Sequence, residues 1–300
     1  MISRRTFLAA GAALPVFIRA AEKPSLHIGL IADPQYADIP PIATRYYRES
    51  IKKLTEAVAH FNAHELDFCV NVGDTIDKDW KSFDEILKPL AASKHKFYHV
   101  LGNHDFDLPD DLKAKAAKRL GMDQRYYSIT QNGFRLVMLD TNDISVYAQP
   151  ASANETTEAM RVLYAYARTG ILHAQPWNGA VGLAQMKWFE DTCKKAAEAK
   201  QKVIVFAHHP ICPSPHNHNA WNSDALLQLI SRHRNVVAWI NGHNHQGNFA
   251  VVDDVPFFTL KGMVETPATN AYATARIFPD RILISGKGRE PDNEVRFRNA

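Results

Sequence analysis

Apolar positions along this chain fall into two kinds of run. Unbroken stretches such as "LHIGLIA" over Leu26–Ala32 and "LDFCVNV" over Leu66–Val72 have the length and β-branched content of strands buried on both faces. Between and after them, Thr44–Asn62 and Lys81–Ala92 carry apolar residues at helical spacing. "KFYHVLG" follows as a further strand, and then the pattern changes. "YYSITQNGFRLVMLDT" reads as two strands joined at Asn132-Gly133, a pair that readily adopts the positive φ of a tight hairpin turn. Helices are predicted near Glu155–Ala167 and Leu183–Ala199, where Leu183, Met186, Phe189 and Cys193 share one face. "KVIVFAHH" and "VVAWINGHNH" are again apolar runs, and short strands are predicted to the end. The alternation predicts an α/β or α+β layered fold with strands at its centre.

Composition narrows this picture. With 300 residues, 46% hydrophobic and 22% charged, the chain has ample material for a core, and disorder is not expected. The formal charge of +3 comes from Arg4, Arg5 and Arg19; without these three, basic and acidic side chains balance. No general attraction to nucleic acid or to an anionic membrane follows. The segment "MISRRTFLAAGAALPVFIRA" has a basic start and an apolar run, Phe7–Ile18, too short to span a bilayer comfortably. Residues 1–20 are therefore read as an export signal, cleaved after Ala20. The pair in "SRRTFL" resembles the twin-arginine type, which implies a transient encounter with that export machinery. Ile18 fits a cleavage site poorly, which leaves a retained anchor as the alternative. Residues 21–300 then form one domain, exported to the periplasm of a bacterium or its equivalent, with no stable membrane association after cleavage. Cys69, Cys193 and Cys212 are widely spaced; their odd number argues against a disulfide framework, and Cys69 reads as a core thiol.

Metal-capable side chains stand at the ends of five strand-like runs. Asp33 and Gln35 follow the first, Asp74 and Asp77 the second, Asn103 and His104 the third, His208 the run "VIVFA", and His243 and His245 the run "VVAWIN". If these strands share a sheet, their carboxyl ends bring the side chains into one cleft. Any one of these pieces alone is an ordinary turn or structural histidine.

In this order, "DPQ", "GDTID", "GNHD", "AHHP" and "GHNH" resemble the calcineurin-like metallophosphoesterases, in which a β-sandwich flanked by helices carries a two-metal site. "IADPQYAD", "RYYRES", "LDTNDISVY", "WNGAVG", "AWN" and "GKGREPD" are similar to signatures of one branch, the manganese-dependent ADP-ribose/CDP-alcohol diphosphatases. The resemblance implies Asp33, Gln35, Asp74 and His245 on a first divalent ion, and Asn103, His208 and His243 on a second, with Asp74 bridging both. The spacing of the family motif selects His208 over His209. Glutamine stands at position 35 where the wider superfamily has histidine; its neutral, hard amide oxygen suits Mn²⁺ first, with Mg²⁺, Fe²⁺ or Zn²⁺ as alternatives. His104, paired with Asp77, is the implied catalytic acid, and no serine or cysteine nucleophile is required. Arg45, Arg48 and Asn178 are the implied substrate-binding residues. Tyr46 and Tyr47 read as packing residues, and His209, His216 and His218 as a polar loop beside the cleft or, alternatively, a third metal site.

The function implied is an exported hydrolase that cleaves phosphoanhydride or phosphodiester bonds in a small phosphorylated, nucleotidic substrate. The alternatives are a broad phosphodiesterase or phosphomonoesterase that scavenges phosphate, and an inactive metal-binding envelope protein. One departure from the branch bears on the substrate: between "DPQYAD" and "TRYYRES" this chain has only "IPPIA", so a wall of the substrate pocket is expected to be low.

Overall fold

The computed structural model describes residues 22–214 and 216–298, so the proposed signal, residues 1–20, lies outside the described residues. The first half of the chain runs β1 (Leu26–Ile31), α1 (Ser50–Asn62), β2 (Phe68–Asn71), α2 (Trp80–Ala91), β3 (Phe97–His99) and two single-turn helices, α3 (Asp110–Lys113) and α4 (Ala116–Arg119). The hairpin β4 (Tyr127–Gln131) and β5 (Phe134–Met138) follows, then the short β6 (Ile144–Ser145), α5 (Asn154–Ala167), β7 (Gly179–Ala180) and α6 (Leu183–Glu198). The remainder is β8 (Lys202–Phe206), α7 (Ser223–Arg232), β9 (Val236–Asn241), β10 (Asn248–Val252), β11 (Val255–Thr259), β12 (Ala271–Ile277), β13 (Arg281–Gly288) and β14 (Asn293–Arg296).

Two six-stranded sheets result, ordered β14-β13-β12-β1-β2-β3 and β10-β11-β9-β8-β5-β4. In the first, β1, β2 and β3 are parallel; in the second, β11, β9, β8 and β5 are parallel. Parallel neighbours require crossovers, which α1, α2, α6 and α7 supply for β1–β2, β2–β3, β5–β8 and β8–β9, while β10 carries the chain from β9 to β11. The period of two along each strand assigns the layers. Leu26, Ile28, Leu30, Phe68 and Val70 point inward to meet Leu136, Met138, Ile204, Phe206 and Ile240 of the facing sheet. On the opposite faces, Ile31 and Cys69 pack with Leu54, Phe61, Phe83 and Ile86 of α1 and α2, whereas Val203, Val205 and Trp239 pack with Phe189, Leu226 and Ile230 of α6 and α7. The architecture is thus a central β-sandwich flanked by helices. Asn132 and Gly133 both adopt positive φ at the β4–β5 turn. All three cysteines are buried free thiols, and burial pushes Cys69 up to about 12. No described helix is long and apolar enough to cross a membrane.

One boundary differs from the pattern. The expected helix Thr44–Asn62 begins only at Ser50, after a single 3-10 turn over Tyr47–Glu49. Upstream, the short "IPPIA" segment closes tightly: Ile42 and Arg45 exchange backbone hydrogen bonds of 3.1 and 3.0 Å, and Arg45 bridges to Glu265. The Arg45 carbonyl, which a helix starting at Thr44 would offer to the amide four residues on, is instead taken by the Ile42 N–H.

Candidate metal centre

Strand ends from both sheets converge at one end of the sandwich. The loop after β1 presents Asp33 and Gln35, that after β2 presents Asp74 and Asp77, and that after β3 presents Asn103 and His104. The second sheet contributes His208 after β8, and His243 and His245 after β9. The backbone is bent to make this happen: Asp33, Gln35, Asp74 and His243 have φ of 50, 43, 52 and 69°. Non-glycine residues adopt this region rarely and at a cost of about 1–3 kcal/mol each, and such strain concentrates at functional sites. It is held by the bonds Asp33 N–Gly73 O, 3.1 Å, and Gln35 N–Asp74 O, 2.8 Å. Gly102 is required here, since a Cβ at that position would collide with the Asp74 carboxylate.

The side chains form a continuous buried cluster. His208 Nε2 lies 3.3 Å from Asp74 Oδ2 and 3.2 Å from both Asn103 Oδ1 and His243 Nδ1. His245 Nε2 is 3.8 Å from Asp33 Oδ1, and the Asp33 carboxylate accepts the His243 amide at 3.1 Å. Gln35 Nε2 donates to Asp74 Oδ2 at 3.2 Å, while Gln35 Oε1, buried, has no hydrogen-bond partner. An orphaned buried acceptor is costly unless something absent from the chain takes it up.

The imidazoles are oriented from outside the cluster. His208 Nδ1 faces Val72 O at 2.9 Å, His243 Nε2 faces Asn178 Oδ1 at 2.8 Å, and His245 Nδ1 faces Glu265 Oε1 at 2.8 Å. Each partner is an acceptor, so each takes the ring proton and leaves the other nitrogen's lone pair turned inward, the arrangement found around metal-binding histidines. His209 differs: its nitrogens face Thr141 Oγ1 at 2.7 Å and Trp177 O at 3.4 Å, so the ring is engaged on both sides outside the cluster.

Electrostatics point the same way. Burial pushes Asp33 up, against the pull of His245 and His208. Burial would lower His208, but Asp74 and Asp33 outweigh it and raise the imidazole to about 9. His243 is held well below its ordinary value by burial and by the neighbouring His209 and His208 rings. A buried site with two carboxylates, a neutral imidazole and a position that demands positive charge fits divalent cations bound by mixed oxygen and nitrogen donors.

Around this cluster the other expected residues separate. His104 lines the cleft, donates its amide to Asp74 Oδ1 at 2.8 Å, and sets Nδ1 3.0 Å from Asp77 Oδ1. Burial opposes protonation of His104, but Asp74 and Asp77 prevail and raise its pKa. Arg45 lines the same cleft. Arg48 does not line it: its guanidinium forms a surface ion pair with Asp38, 2.6 Å away. Asn178 is fully buried away from the cleft lining: its amide nitrogen donates to His173 O and Asn217 O, and its oxygen faces His243. Tyr47 is buried as a packing residue. Among the described residues no potential ligating trio includes His216 or His218, whereas the buried His209 falls in one with His208 and His243.

Two functional positions lack any assignment from the sequence pattern. Glu265 orients His245, and hydrogen bonds from His245 and Thr44 overcome burial to bring its carboxylate down to about 2. Asp105 accepts Thr75 N at 2.8 Å and Gly102 N at 2.9 Å, stitching the loops after β2 and β3 together. Asp105 stands in the "GNHD" motif two residues from Asn103, which is a usable signal; Glu265 is separated from His245 by two strands and has none.

Comparison with known proteins matches residues 26–247 to the family model for calcineurin-like phosphoesterases. A manganese-dependent ADP-ribose/CDP-alcohol diphosphatase of Oryza sativa subsp. japonica is 30% identical, over 93% of this chain and 96% of that protein. One of Danio rerio, with the same name, is 28% identical over 92% and 99%. Among solved structures, a dimetal phosphatase from Danio rerio superposes with a TM-score of 0.82 at 28% identity, covering 92% of this chain and all of that one.

Proposed function

Because the chain belongs to the calcineurin-like phosphoesterase family and is a metal-dependent hydrolase of phosphate esters or anhydrides, we propose that its substrates are small nucleotidic molecules. The bonds cleaved are phosphoanhydrides or phosphodiesters of the ADP-ribose and CDP-alcohol kind for which its relatives are named. One observation carries the assignment of the centre: the outward nitrogens of His208, His243 and His245 are each taken by an acceptor, turning three lone pairs toward Asp33, Asp74 and the orphaned Gln35 oxygen.

Asp33, Gln35 and His245 would hold one ion, Asn103, His208 and His243 the other, and Asp74 both. Divalent cations bound there supply charge neutralisation at the phosphoryl oxygens and acidify the attacking water. The chain's own residues do the rest. Asp77 keeps the His104 imidazole oriented and charged, so that Nε2 can give a proton to the departing oxygen. Arg45 offers a guanidinium fork to a second phosphate. The tight Ile42–Arg45 turn favours, as a second reading, a less selective phosphodiesterase with an open wall on that side.

The test is hydrolysis by metal-stripped protein of ADP-ribose, CDP-choline, cyclic nucleotides, monoesters and bis-p-nitrophenyl phosphate, each with Mn²⁺, Mg²⁺ or Zn²⁺ added. Mn²⁺-stimulated release of a nucleoside monophosphate from the first two is expected. Preference for cyclic nucleotides would favour the second reading, and a preference for monoesters would overturn both. Export by residues 1–20 belongs to the same proposal; replacing Arg4 and Arg5 by lysine should retain the protein in the cytoplasmic fraction.

A further inference from the structure

A second cavity opens along the side of the sandwich, where β3 is the last strand of one sheet and β4 the last strand of the other. It measures about 370 Å³ and shares no lining residue with the cleft over the candidate ligands. That volume falls within the roughly 300–1,000 Å³ of small-molecule sites. Phe97, Tyr98, Tyr127, Leu120, Met122 and Ile129 give it a largely apolar lining, into which His99 brings an imidazole. We infer that this cavity binds an uncharged heteroaromatic molecule of one or two fused rings that carries a ring N–H.

His99 sets the polar requirement. The residue is 6% exposed, and its Nδ1 has no hydrogen-bond partner among the described residues, a state that costs free energy until a partner arrives. Burial pushes its pKa down to about 4, so near neutral pH the ring is uncharged, one nitrogen an acceptor and the other a donor. The ring is held in place by stacking on Phe97, with centroids 6.1 Å apart and planes 27° from parallel. Its backbone is engaged by the Tyr127 hydroxyl, which accepts from His99 N at 3.2 Å and donates to His99 O at 2.9 Å. That hydroxyl closes the edge of β3 to a further strand at this point, which turns the cavity toward a small molecule rather than an extended peptide. Charge is confined to the mouth. Lys96 and Asp123 are both exposed, and the Lys96 ammonium lies 4.6 Å from the centroid of the Tyr98 ring. A charged ligand would lose water and meet no buried counter-charge, whereas a flat neutral ring finds aromatic side chains to pack on.

Calorimetric titration of the full chain, loaded with Mn²⁺, uses two probes: indole, and benzothiophene, which has the same shape but no N–H. The wild type should bind indole about three- to ten-fold more tightly, the usual effect of one hydrogen bond to a buried partner. His99→Phe keeps the apolar lining and should remove that preference while both probes still bind. Ile129→Trp leaves His99 untouched, fills the cavity from β4 and should abolish binding of both. Neither residue touches the metal centre, so both variants should keep the wild-type affinity for Mn²⁺, which also reports that they are folded. Equal affinity of the wild type for the two probes, a preference that survives in His99→Phe, binding that survives in Ile129→Trp, or a wild type that binds neither probe would each overturn the assignment.

Discussion

Gln35 faces the cluster through an oxygen with no partner in the chain, and this makes its substitutions unusually informative. Gln35→Ala removes a donor and supplies none, so the Mn²⁺ concentration for half-maximal activity should rise about ten-fold or more. Gln35→His exchanges a hard oxygen for a nitrogen and should shift preference toward Zn²⁺ or Fe²⁺. Metal titrations of both variants check this, and identical curves in all three proteins would remove Gln35 from the ligand set. His104→Ala should leave metal content intact and lower kcat by roughly 10²- to 10⁴-fold, the range for a lost proton donor; metal loss in that variant would make the imidazole structural. Glu265→Ala works one step further out. It frees His245 to rotate and should weaken metal binding about 10- to 100-fold, as read by competition with a chelating dye.

At the level of elements, the buried ammonium of Lys53 on α1 explains how Glu265 is kept in place. Lys53 Nζ donates to Met263 O, Glu265 O and Thr266 O at 2.7, 2.9 and 2.7 Å, and the residue is 2% exposed. Burial pushes its pKa down to about 8. The unfolded chain, with an ordinary lysine near 10.4, binds more protons than the folded one between those values, so this group's contribution makes stability rise as pH goes from about 8 to 10.4. Thermal melts of wild type and Lys53→Met across that window should show the slope in the first and its loss in the second, and the variant should also bind Mn²⁺ more weakly because the Glu265 segment is released. The contact could not be read from the sequence, since it joins residues more than 200 positions apart. The α1 start differs for a similar reason: the apolar spacing of Thr44–Asn62 is helical, but the Ile42–Arg45 turn and the backbone hydrogen bonds from Tyr46 N to Val264 O and from Thr266 N to Thr44 O claim its first residues. Helix α7 is missing from the expected elements although Leu226, Leu229 and Ile230 stand at helical spacing on its buried face.

For the whole molecule, the strands that end in candidate ligands were the legible part. β1, β2, β8 and β9 are buried on both faces, so each reads as an apolar run with polar residues soon after it, whereas β3, at the sheet edge, is only half-buried. What the pattern could not supply is that the runs belong to two sheets: β1, β2 and β3 lie in one, β8 and β9 in the other. Each proposed ion therefore takes ligands from both, Asp33 and Gln35 opposite His245, Asn103 opposite His208 and His243. Occupancy of the centre then acts as a rivet across the seam between the sheets, closing one end of the sandwich much as a covalent cross-link would. Hydrogen exchange should report it: with Mn²⁺, amides near residues 33–36 and 242–246 should slow markedly, while the distant edge strands β14 and β4 exchange as before. Uniform protection throughout, or none, would rule the rivet out. Loss of metal would on this account be a mechanical event as well as a chemical one, parting the sheets at the mouth while their far edges stay joined.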